Sequence, residues 1–512
     1  MTGKKSKIEL VAPAGGFEQL IAALNGGADS VYLGFEQYSA RAYAKNFNFK
    51  QLRKAVSSAH KRGAKIYLTL NTIIKDNEIY DIVYFINNYI DICKDGIIIQ
   101  DTGLCRIMRD LFPDVPIHAS TQMNIHNSNS LNLFGKAGFK RAVLAREMTL
   151  EEIKDLSNKT NVYLEIFGHG SQCYSYSGKC YFSSFTGGRS GNRGRCTQPC
   201  RMKYITVQSD SKKDMYLSKS PSYLLSKKDL YTLDILPGII KSGISALKIE
   251  GRMKSPEYVS IIVRTYRKYI DLYYRDPENY KVKEEDIYKI KQMFSRQLCN
   301  GYYKGNLSKS IIDPGRSGSI GNFIGRIKKI DYSHSGRVRR GYGRAEAIYI
   351  NSKWPVWSGD ILEVWTRKGN KKITVKNIDR IEEKGRYYYR IGVDSEDGFS
   401  IKDRVIKYFD KKIDEEAKSL FKYSSGDLKY DIKPYNEKIC GIHTREKLKQ
   451  YLGRYHIGEK SRKRIDVKNN VGIKMKLTVK IYGSDELRNI MYSDVDNILL
   501  SSHQELLNGK MI

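Results

Sequence analysis

The chain has 512 residues, room for roughly two to four domains, and its 40% hydrophobic residues can fill sizeable cores. Its 89 Lys and Arg against 56 Asp and Glu give a net charge of +33. This charge predicts a polyanionic partner, with nucleic acid as the first candidate and an anionic membrane surface as the second. The alternative is that compositional drift towards Lys, Ile, Asn and Tyr explains the charge. The absence of a run of about 18 apolar residues argues against a membrane-spanning helix, and an N-terminus without the apolar stretch of a signal peptide predicts a cytoplasmic protein.

About the first 250 residues alternate β-rich runs with helical patterns, the size of a (β/α)8 barrel. Most of the runs are continuously apolar, as buried parallel strands are. We therefore expect an α/β chain whose residues 1–300 form an N-terminal (β/α)8 TIM-like barrel, with a doubly wound sheet as the alternative. The expected strands are Ile8–Val11, Ser30–Leu33, Lys65–Leu70, Gly96–Ile99, Pro116–Ala119, Ala142–Leu144, Val162–Ile166 and Ala246–Ile249.

Polar residues recur where these runs end, which is where barrel enzymes carry their active sites. Any one of them could instead be a helix cap or a rim salt bridge. The candidates for catalysis among them are Glu165, His169, Glu250 and Arg252. The other strand-end residues are Gly34, Asn71, Gln100, Asp101, Ser120, Gln122, Arg146 and Glu147.

A long excursion, residues 168–243, follows the seventh run, and we name it the Cys-rich loop. It holds half of the eight cysteines, Cys173, Cys180, Cys196 and Cys200. Thiolates are the natural ligands of iron–sulfur clusters and of zinc, and glycines let such a loop wrap a metal centre. The spacing lacks the paired CxxC knuckles of many zinc sites, so we favour a cluster over zinc, with four unrelated thiols as the remaining alternative. The isolated Cys93, Cys105, Cys299 and Cys440 are interpreted as structural.

Basic residues are interleaved with these cysteines, and aromatic residues lie close by. Cations beside aromatic rings suit phosphates and stacked bases, so we expect RNA to bind here. The alternative is that the cations balance a negatively charged cluster. The basic residues are Arg189, Arg193, Arg195, Arg201 and Lys203, and the aromatic residues are Tyr174, Tyr176, Tyr181 and Phe182.

The remaining chain changes character three times. Residues 315–410 are β-rich with many glycine turns, which predicts a small antiparallel β-barrel-like domain. Residues 411–470 are strongly charged and poor in aliphatics, typical of a helical or partly disordered connector. Residues 471–512 again resemble a strand, a helix and a strand, like the opening unit, and predict an incomplete α/β segment or truncated repeat.

Several motifs within residues 8–300 resemble the peptidase U32 family. The signature-like segment runs from Glu165-Ile-Phe-Gly-His-Gly-Ser-Gln to Cys173 and continues with Gly178-Lys-Cys180 and Ser183. Gln172 and Phe182 depart from the aliphatic residues usual there, and neither is an expected ligand. Further matches are Ala12-Pro-Ala-Gly15, 26–34, Asn192-Arg-Gly-Arg-Cys-Thr-Gln-Pro-Cys-Arg201, 226–230 and 247–258.

The resemblance carries expectations about activity. Members are named after collagenase-like peptidases, while better understood members carry a [4Fe–4S] cluster on four cysteines. Those act in oxygen-independent hydroxylation of a tRNA wobble uridine, of a ribosomal RNA cytidine or of the ubiquinone ring, and prephenate is linked to the RNA reactions. By position, Cys173, Cys180, Cys196 and Cys200 would be the cluster ligands. The positive charge favours the RNA branches.

Three functions therefore compete. The first is an RNA hydroxylase in which Glu165 or His169 serves as acid or base. The second is a peptidase: neither an HExxH metal site nor a GxSxG elbow is present, although Cys173 and His169 are four residues apart. The third is a non-enzymatic RNA-binding protein with a structural metal.

Overall fold

The computed structural model describes most of the chain up to residue 422 and short segments after it. The described residues are 7–92, 94–210, 213–216, 220–294, 296–305, 311–332, 345–383, 386–395, 398–422, 443, 445–454, 478–481 and 497–500. Two compact units are separated, Met1–Ile457 and Gly458–Ile512. Within the described residues, no helix combines the length and apolarity needed to cross a bilayer.

Eight parallel strands close into a barrel. Each of β1 to β6 pairs with the next strand along the chain, and β11 completes the ring by pairing with both β7 and β1. Leu247 of β11 is thus in register with Ile166 on one side and Leu10 on the other. This closure confirms the (β/α)8 barrel and excludes the doubly wound sheet. The strands of this part are β1 (Glu9–Ala14), β2 (Ser30–Gly34), β3 (Lys65–Leu70), β4 (Ile97–Ile99), β5 (Ile117–Ala119), β6 (Phe139–Val143), β7 (Tyr163–Ser171), β8 (Val207–Asp210), β9 (Lys213–Tyr216), β10 (Asp229–Tyr231), β11 (Ala246–Ile249) and β12 (Leu298–Cys299).

Helices follow the barrel strands and cover their outer faces, and side-chain caps fix where several begin. The side chains of Asn48 and Thr149 each accept a hydrogen bond from the backbone N–H of the third helical residue. The side chain of that third residue accepts one in return from the backbone N–H of Asn48 or Thr149, which forms a capping box. Ser255 caps the helix that Pro256 opens. The helices are α1 (Phe17–Asn25), α2 (Phe49–His60), α3 (Asp76–Asn88), α4 (Thr102–Leu111), α5 (Ser128–Lys136), α6 (Leu150–Ser157), α7 (Phe182–Gly187), α8 (Leu236–Lys241), α9 (Pro256–Arg275), α10 (Glu284–Met293), α11 (Lys411–Leu420) and α12 (Arg445–Gly453).

Strand β7 continues past the barrel rim, further than the expected end at Ile166. Its last three residues, His169 to Ser171, pair with the antiparallel β10, which in turn pairs with β12. These partners satisfy backbone groups that would otherwise end the strand. The extension carries the chain over the barrel mouth and delivers Cys173 there.

The β-rich region forms one seven-stranded antiparallel sheet, in the order β16-β15-β19-β13-β14-β18-β17. Its inward side chains make a separate apolar core. Within the described residues the outer strands β16 and β17 do not pair, so the expected small barrel is a curled open sheet. The strands are β13 (Asn322–Tyr332), β14 (Ala345–Ser352), β15 (Ile361–Thr366), β16 (Gly369–Thr374), β17 (Ile378–Glu383), β18 (Arg386–Ser395) and β19 (Arg404–Phe409).

The described residues of the charged region after residue 410 form two helices that pack on the barrel. Ile413 and Ala417 of α11 are buried with Ile261 of α9, and Leu448 and Leu452 of α12 join the barrel's own core. In the second unit, β20 (Thr478–Ile481) and β21 (Asn497–Leu500) form a parallel pair. The helix expected between those strands lies outside the described residues.

Candidate functional site at the barrel mouth

A cavity of about 440 Å³ lies at the C-terminal ends of the barrel strands, beneath the Cys-rich loop. Its volume is in the range of small-molecule sites. Residues from β7, β11, the strand-end loops and the Cys-rich loop line it, and all four cysteines of the loop are among them. The Cys pattern and the strand ends, recognised separately in the sequence, therefore meet in one place.

Several strand-end polar residues hold the Cys-rich loop rather than facing a substrate. The amide of Gln100 donates to the backbone oxygens of Asn71 (2.8 Å) and Asn192 (3.0 Å). Asn192, in the loop, donates to the Gly178 oxygen at 3.1 Å. Asp101 instead caps α4. Part of the polar rim is thus a platform that fixes the loop.

Arg146 and Ser177 make a second attachment. The Arg146 Nε donates to the Ser177 Oγ at 3.0 Å, and this hydroxyl is 3.3 Å from a Glu147 carboxylate oxygen. Ser177 is fully buried. The sequence pattern indicated Arg146 and Glu147 only as strand-end residues, and it did not predict that Ser177 would contact them.

Gly178 sits where the loop touches the rim most closely. Its φ is +73°, and a Cβ there would lie 2.0 Å from the backbone oxygen of Gln122. Because backbone cannot yield as a flexible side chain can, any larger residue must push the loop away.

We expect Gly178→Ala to detach the Cys-rich loop while the barrel stays folded. Gly63→Ala is the matched control, since Gly63 has φ +72° and no atom within 4 Å of a Cβ. Both variants incur the left-handed cost of about 1–2 kcal/mol, and only the first adds a clash. Limited proteolysis should cut within residues 168–243 much faster in Gly178→Ala than in Gly63→Ala. Equal rates in the two variants would contradict the close approach.

The four thiols are reduced and face the same cavity. Cys173, Cys180 and Cys200 are half-buried, and Cys196 is exposed. Burial opposes ionisation of Cys173, but the Arg146 and Arg41 charges outweigh it and hold its pKa below the ordinary value. Burial, with the neighbouring thiols, raises the pKa of Cys200.

Among the described residues, no three His, Cys, Asp or Glu side chains converge closely enough to hold a single metal ion. The four cysteines of the Cys-rich loop nevertheless line one cavity, and thiolates are ligands of both iron–sulfur clusters and zinc. Gln198 N–H donates to Cys196 Sγ at 3.4 Å, and hydrogen bonds to sulfur tune the potential of a bound cluster. The chemistry of the donor set therefore fits either centre.

His169 and Glu250 both line the cavity. Burial lowers the pKa of His169 to about 3, and its Nδ1 is 3.3 Å from the Tyr266 hydroxyl, so the ring is neutral at pH 7. Burial alone would raise the pKa of Glu250, but Arg41, whose Nη2 is 2.9 Å from the carboxylate, lowers it overall. Glu250 is therefore ionised.

Arg252 lies across the cavity floor with 3% of its surface exposed. Its guanidinium donates to Thr69 Oγ1 (3.0 Å) and Asn46 Oδ1 (2.7 Å). Burial lowers the pKa of Arg252 to about 10, so it remains a cation at neutral pH. A Cβ on Gly34 would come within 2.5 Å of its Nη2, which explains the glycine at the end of β2.

Glu165 lies one layer deeper than the other three candidates and does not line the cavity. It is fully buried, with Lys248 Nζ at 2.8 Å and Arg141 Nη1 at 3.2 Å. Arg141 also binds Glu9. These contacts give Glu165 a structural position, and no described contact supports its predicted acid–base role.

The cavity lining is strongly positive, which sequence patterns had only partly indicated. Seven basic side chains line it against one carboxylate, Glu250. Lys248 and Arg296 are neutralised from outside the lining by Glu165 and Asp229, and burial lowers the pKa of Lys254 to about 7, which still leaves an excess of positive charge. The site therefore suits anionic groups. The basic residues are Arg41, Arg146, Arg201, Lys248, Arg252, Lys254 and Arg296.

The five basic residues expected to bind RNA divide into two groups. Arg193 pairs with Glu78 of α3, and Arg201 donates to Gln172 O at 2.9 Å and Ser226 Oγ at 2.8 Å, so both hold the protein together. The other three, Arg189, Arg195 and Lys203, are exposed. Beside them the loop exposes aromatic rings, including one absent from the expected set, Phe185, which is 88% exposed.

Three named proteins are similar to this chain over more than half of its length. The chain is 36% identical over 301 residues to tRNA hydroxylation protein P1 of Bacillus subtilis (strain 168), covering 58% of this chain and 71% of that protein. It is 30% identical over 400 residues to the 23S rRNA 5-hydroxycytidine C2501 synthase of Escherichia coli (strain K12), covering 76% of this chain and 57% of the synthase. It is 33% identical over 313 residues to a collagenase of Porphyromonas gingivalis (strain ATCC BAA-308 / W83), covering 58% and 73%.

The family model for peptidase family U32 matches residues 15–313. This range contains the Cys-rich loop, the cavity residues described above and all of the barrel except β1, which ends at Ala14. The sequence motifs, the barrel and the match agree, and the chain belongs to peptidase family U32.

Proposed function

We propose that this protein is an enzyme of the cytoplasm that hydroxylates a pyrimidine base in tRNA or ribosomal RNA without molecular oxygen, using a [4Fe–4S] cluster. The observation that carries the proposal is the convergence of four thiols on one cationic cavity at the mouth of a barrel. The names of the Bacillus subtilis and Escherichia coli relatives, a tRNA hydroxylation protein and an rRNA hydroxycytidine synthase, support the RNA reaction.

Cys173, Cys180, Cys196 and Cys200 would hold the cluster. When bound, such a cluster supplies one-electron redox chemistry, with a potential tuned by hydrogen bonds to sulfur and by nearby charge. The Gln198 N–H and the Arg146 and Arg41 cations are placed to do that tuning. Zinc in the same place remains the alternative, and it would make the site structural.

An anionic co-substrate fits the rest of the cavity. Prephenate, which carries two carboxylates, is the candidate that the family resemblance suggests. Arg252 and Arg146 are lining cations without a carboxylate partner in the ion pairs of the described residues, and guanidinium groups are the preferred partners of carboxylates. Lys254 adds a third basic group in the same lining, and burial lowers its pKa to about 7, so it is about half protonated at neutral pH.

The protonation states assign roles to the remaining candidates. Ionised Glu250 can accept a proton or a hydrogen bond at neutral pH, and it cannot donate one. Neutral His169 can donate or accept a hydrogen bond without adding charge. In this proposal Glu165 positions Lys248 from below and takes no part in proton transfer.

The RNA would approach over the exposed side of the Cys-rich loop. Arg189, Arg195 and Lys203 are free to meet phosphates. Tyr174, Tyr176 and Phe185 are 44%, 66% and 88% exposed, and exposed rings in such number usually mark a recognition surface. A flipped or unpaired base could stack on them.

A peptidase remains the second candidate because of the Porphyromonas gingivalis collagenase relative. A Cys–His dyad would need a hydrogen bond between nucleophile and base. Within the described residues the His169 ring is bonded to Tyr266, and no hydrogen bond joins it to Cys173. This geometry favours the hydroxylase.

The test is to purify the protein without oxygen, measure iron and acid-labile sulfide, and profile RNA nucleosides of cells with and without the gene. We expect about four irons and four sulfides per chain and a hydroxylated pyrimidine that disappears with the gene. Stoichiometric zinc without sulfide, or an unchanged nucleoside profile alongside hydrolysis of collagen peptides, would refute the proposal.

A further inference from the structure

A second concavity, of about 910 Å³, lies between the barrel and the antiparallel sheet. We name it the sheet groove. Residues of α10 and the segments around Lys203, Tyr223 and Arg316 form one wall, and β13, β15, β16 and β19 form the other. It is distinct from the cysteine cavity, and the two share no lining residue.

Strand register puts aromatic and cationic side chains on the same outer face of the sheet. Phe323 is opposite Ile406, and Arg404, two residues before Ile406, is opposite Trp365. The Arg404 guanidinium carbon lies 5.2 Å from the Phe323 ring centroid and 5.0 Å from that of Trp365. A planar cation therefore stands between two rings.

These side chains are available to a ligand. Phe323 is 47% exposed, and Arg404 is exposed at the end of β19. The Trp365 N–H donates to Glu363 at 2.8 Å, which fixes the orientation of the indole. An oriented ring costs little entropy when a partner stacks on it.

The charges of the groove leave a positive excess. Arg316 is satisfied by Glu363 at 2.8 and 3.0 Å, and Glu284 is paired with Lys353. Lys203, Lys291 and Arg404 line the groove without a carboxylate partner among the ion pairs of the described residues. Unpaired cations in a groove suit the phosphates of a nucleic acid chain.

One buried acceptor also lines the groove. The Asp313 side chain is 4% exposed, and its Oδ2 has no hydrogen-bond partner within the described part of the chain. An unsatisfied buried carboxylate oxygen is costly. It would be satisfied by a donor from a ligand, such as the exocyclic amino group of a base.

We propose that the sheet groove binds a single-stranded RNA segment, with bases stacked on Phe323 and Trp365 and phosphates on Lys203, Lys291 and Arg404. This rests on the proposed function, and it specifies where RNA flanking the modified base is held. Lys203 joins the two sites, since it lines the groove and follows by two residues Arg201, which lines the cysteine cavity. Anchoring flanking RNA would allow one target base to be presented at the barrel mouth.

The test measures binding of a fluorescent single-stranded RNA of about 12 nucleotides to the full chain by anisotropy. Phe323→Ala and Arg404→Ala should each weaken binding by at least about fivefold. Arg404→Lys keeps the charge but loses the planar stacking group, so it should also weaken binding, and Phe323→Trp should preserve it. Tyr388→Ala and Lys328→Ala, on exposed sites of the same sheet outside the groove, should stay within about twofold of wild type.

Each outcome separates this inference from the function on which it rests. If wild type binds RNA and the groove variants bind equally well, the groove assignment is wrong while the RNA function stands. If wild type binds no RNA, both fail. Equal competition by poly-glutamate would show a charge-driven site without base stacking, and equal affinity for duplex RNA would show that single strands are not selected; either result overturns the proposal.

Discussion

Cys173→Ala/Cys200→Ala is expected to reduce iron and sulfide from about four per chain to a small fraction and to abolish formation of the hydroxylated nucleoside. Cys173 lies two residues after the end of β7, and Cys200 lies in the 3-10 turn Pro199–Arg201. Arg201 of that turn donates a hydrogen bond to Gln172 O, next to Cys173. The double variant thus removes the first and the last thiol of the Cys-rich loop, and a cluster left with two ligands on the loop is poorly held.

The control is Cys299→Ala, on β12 and outside the cavity lining. It removes a thiol of the same domain and should leave iron, sulfide and product near wild-type levels. Thermal unfolding of both variants checks that the barrel survives. Retention of a full cluster by the double variant would show that these two cysteines are not ligands, and iron loss in Cys299→Ala as well would show a general effect of removing a thiol.

The features that sequence predicted best depend on neighbours along the chain. The barrel was predicted from eight apolar runs and the spacing between them, because a buried strand can be recognised from consecutive apolar residues. The meeting of four cysteines at one cavity followed because they lie in one short segment, between Cys173 and Cys200, and their role as metal ligands stays a prediction. The β-rich region was recognised from turn glycines, but its open edge depends on whether β16 and β17 meet, and no local pattern encodes that.

The features that sequence missed depend on contacts between distant residues. Gln100 and Asn192 are 92 residues apart. Because of their hydrogen bond, this part of the polar rim holds the Cys-rich loop. Arg41 meets Glu250 across 209 residues. Nothing around Arg41 marks it as a cavity residue, so only the fold reveals that it keeps Glu250 ionised.

Glu165 shows how one misplaced strand end changes where a candidate residue is expected to lie. With an expected strand of Val162–Ile166, Glu165 stood beside the rim. The observed strand runs to Ser171 because β10 pairs with its last residues. Glu165 therefore lies inside the barrel, where an ionised carboxylate is tolerated only with paired charges.

Arg141→Met is expected to destabilise the barrel by about 3–5 kcal/mol, a fall of roughly 6 °C or more in Tm. Arg141 is 7% exposed and binds Glu9 at 2.5 Å and Glu165 at 3.2 Å. Removing the cation leaves Glu9 buried without its charge partner and leaves Glu165 with Lys248 alone. Arg106→Met is the matched control, because Arg106 pairs with Asp110 on the surface of α4 with 72% of its side chain exposed, and such pairs contribute about 0–1 kcal/mol.

The same substitution should alter the dependence of stability on pH. Burial opposes ionisation of Glu9, but hydrogen bonds and charge from Arg141 prevail and lower its pKa from 4.5 to about 2. Between these values the unfolded chain binds a proton that the folded chain does not, so stability falls as pH drops through this window. Without Arg141 the depressed pKa is lost, and the Tm gap between wild type and Arg141→Met should narrow from pH 6 towards pH 3. A gap that stays constant across this range would mean that Arg141 stabilises the barrel by packing, with no contribution from its pairing with Glu9.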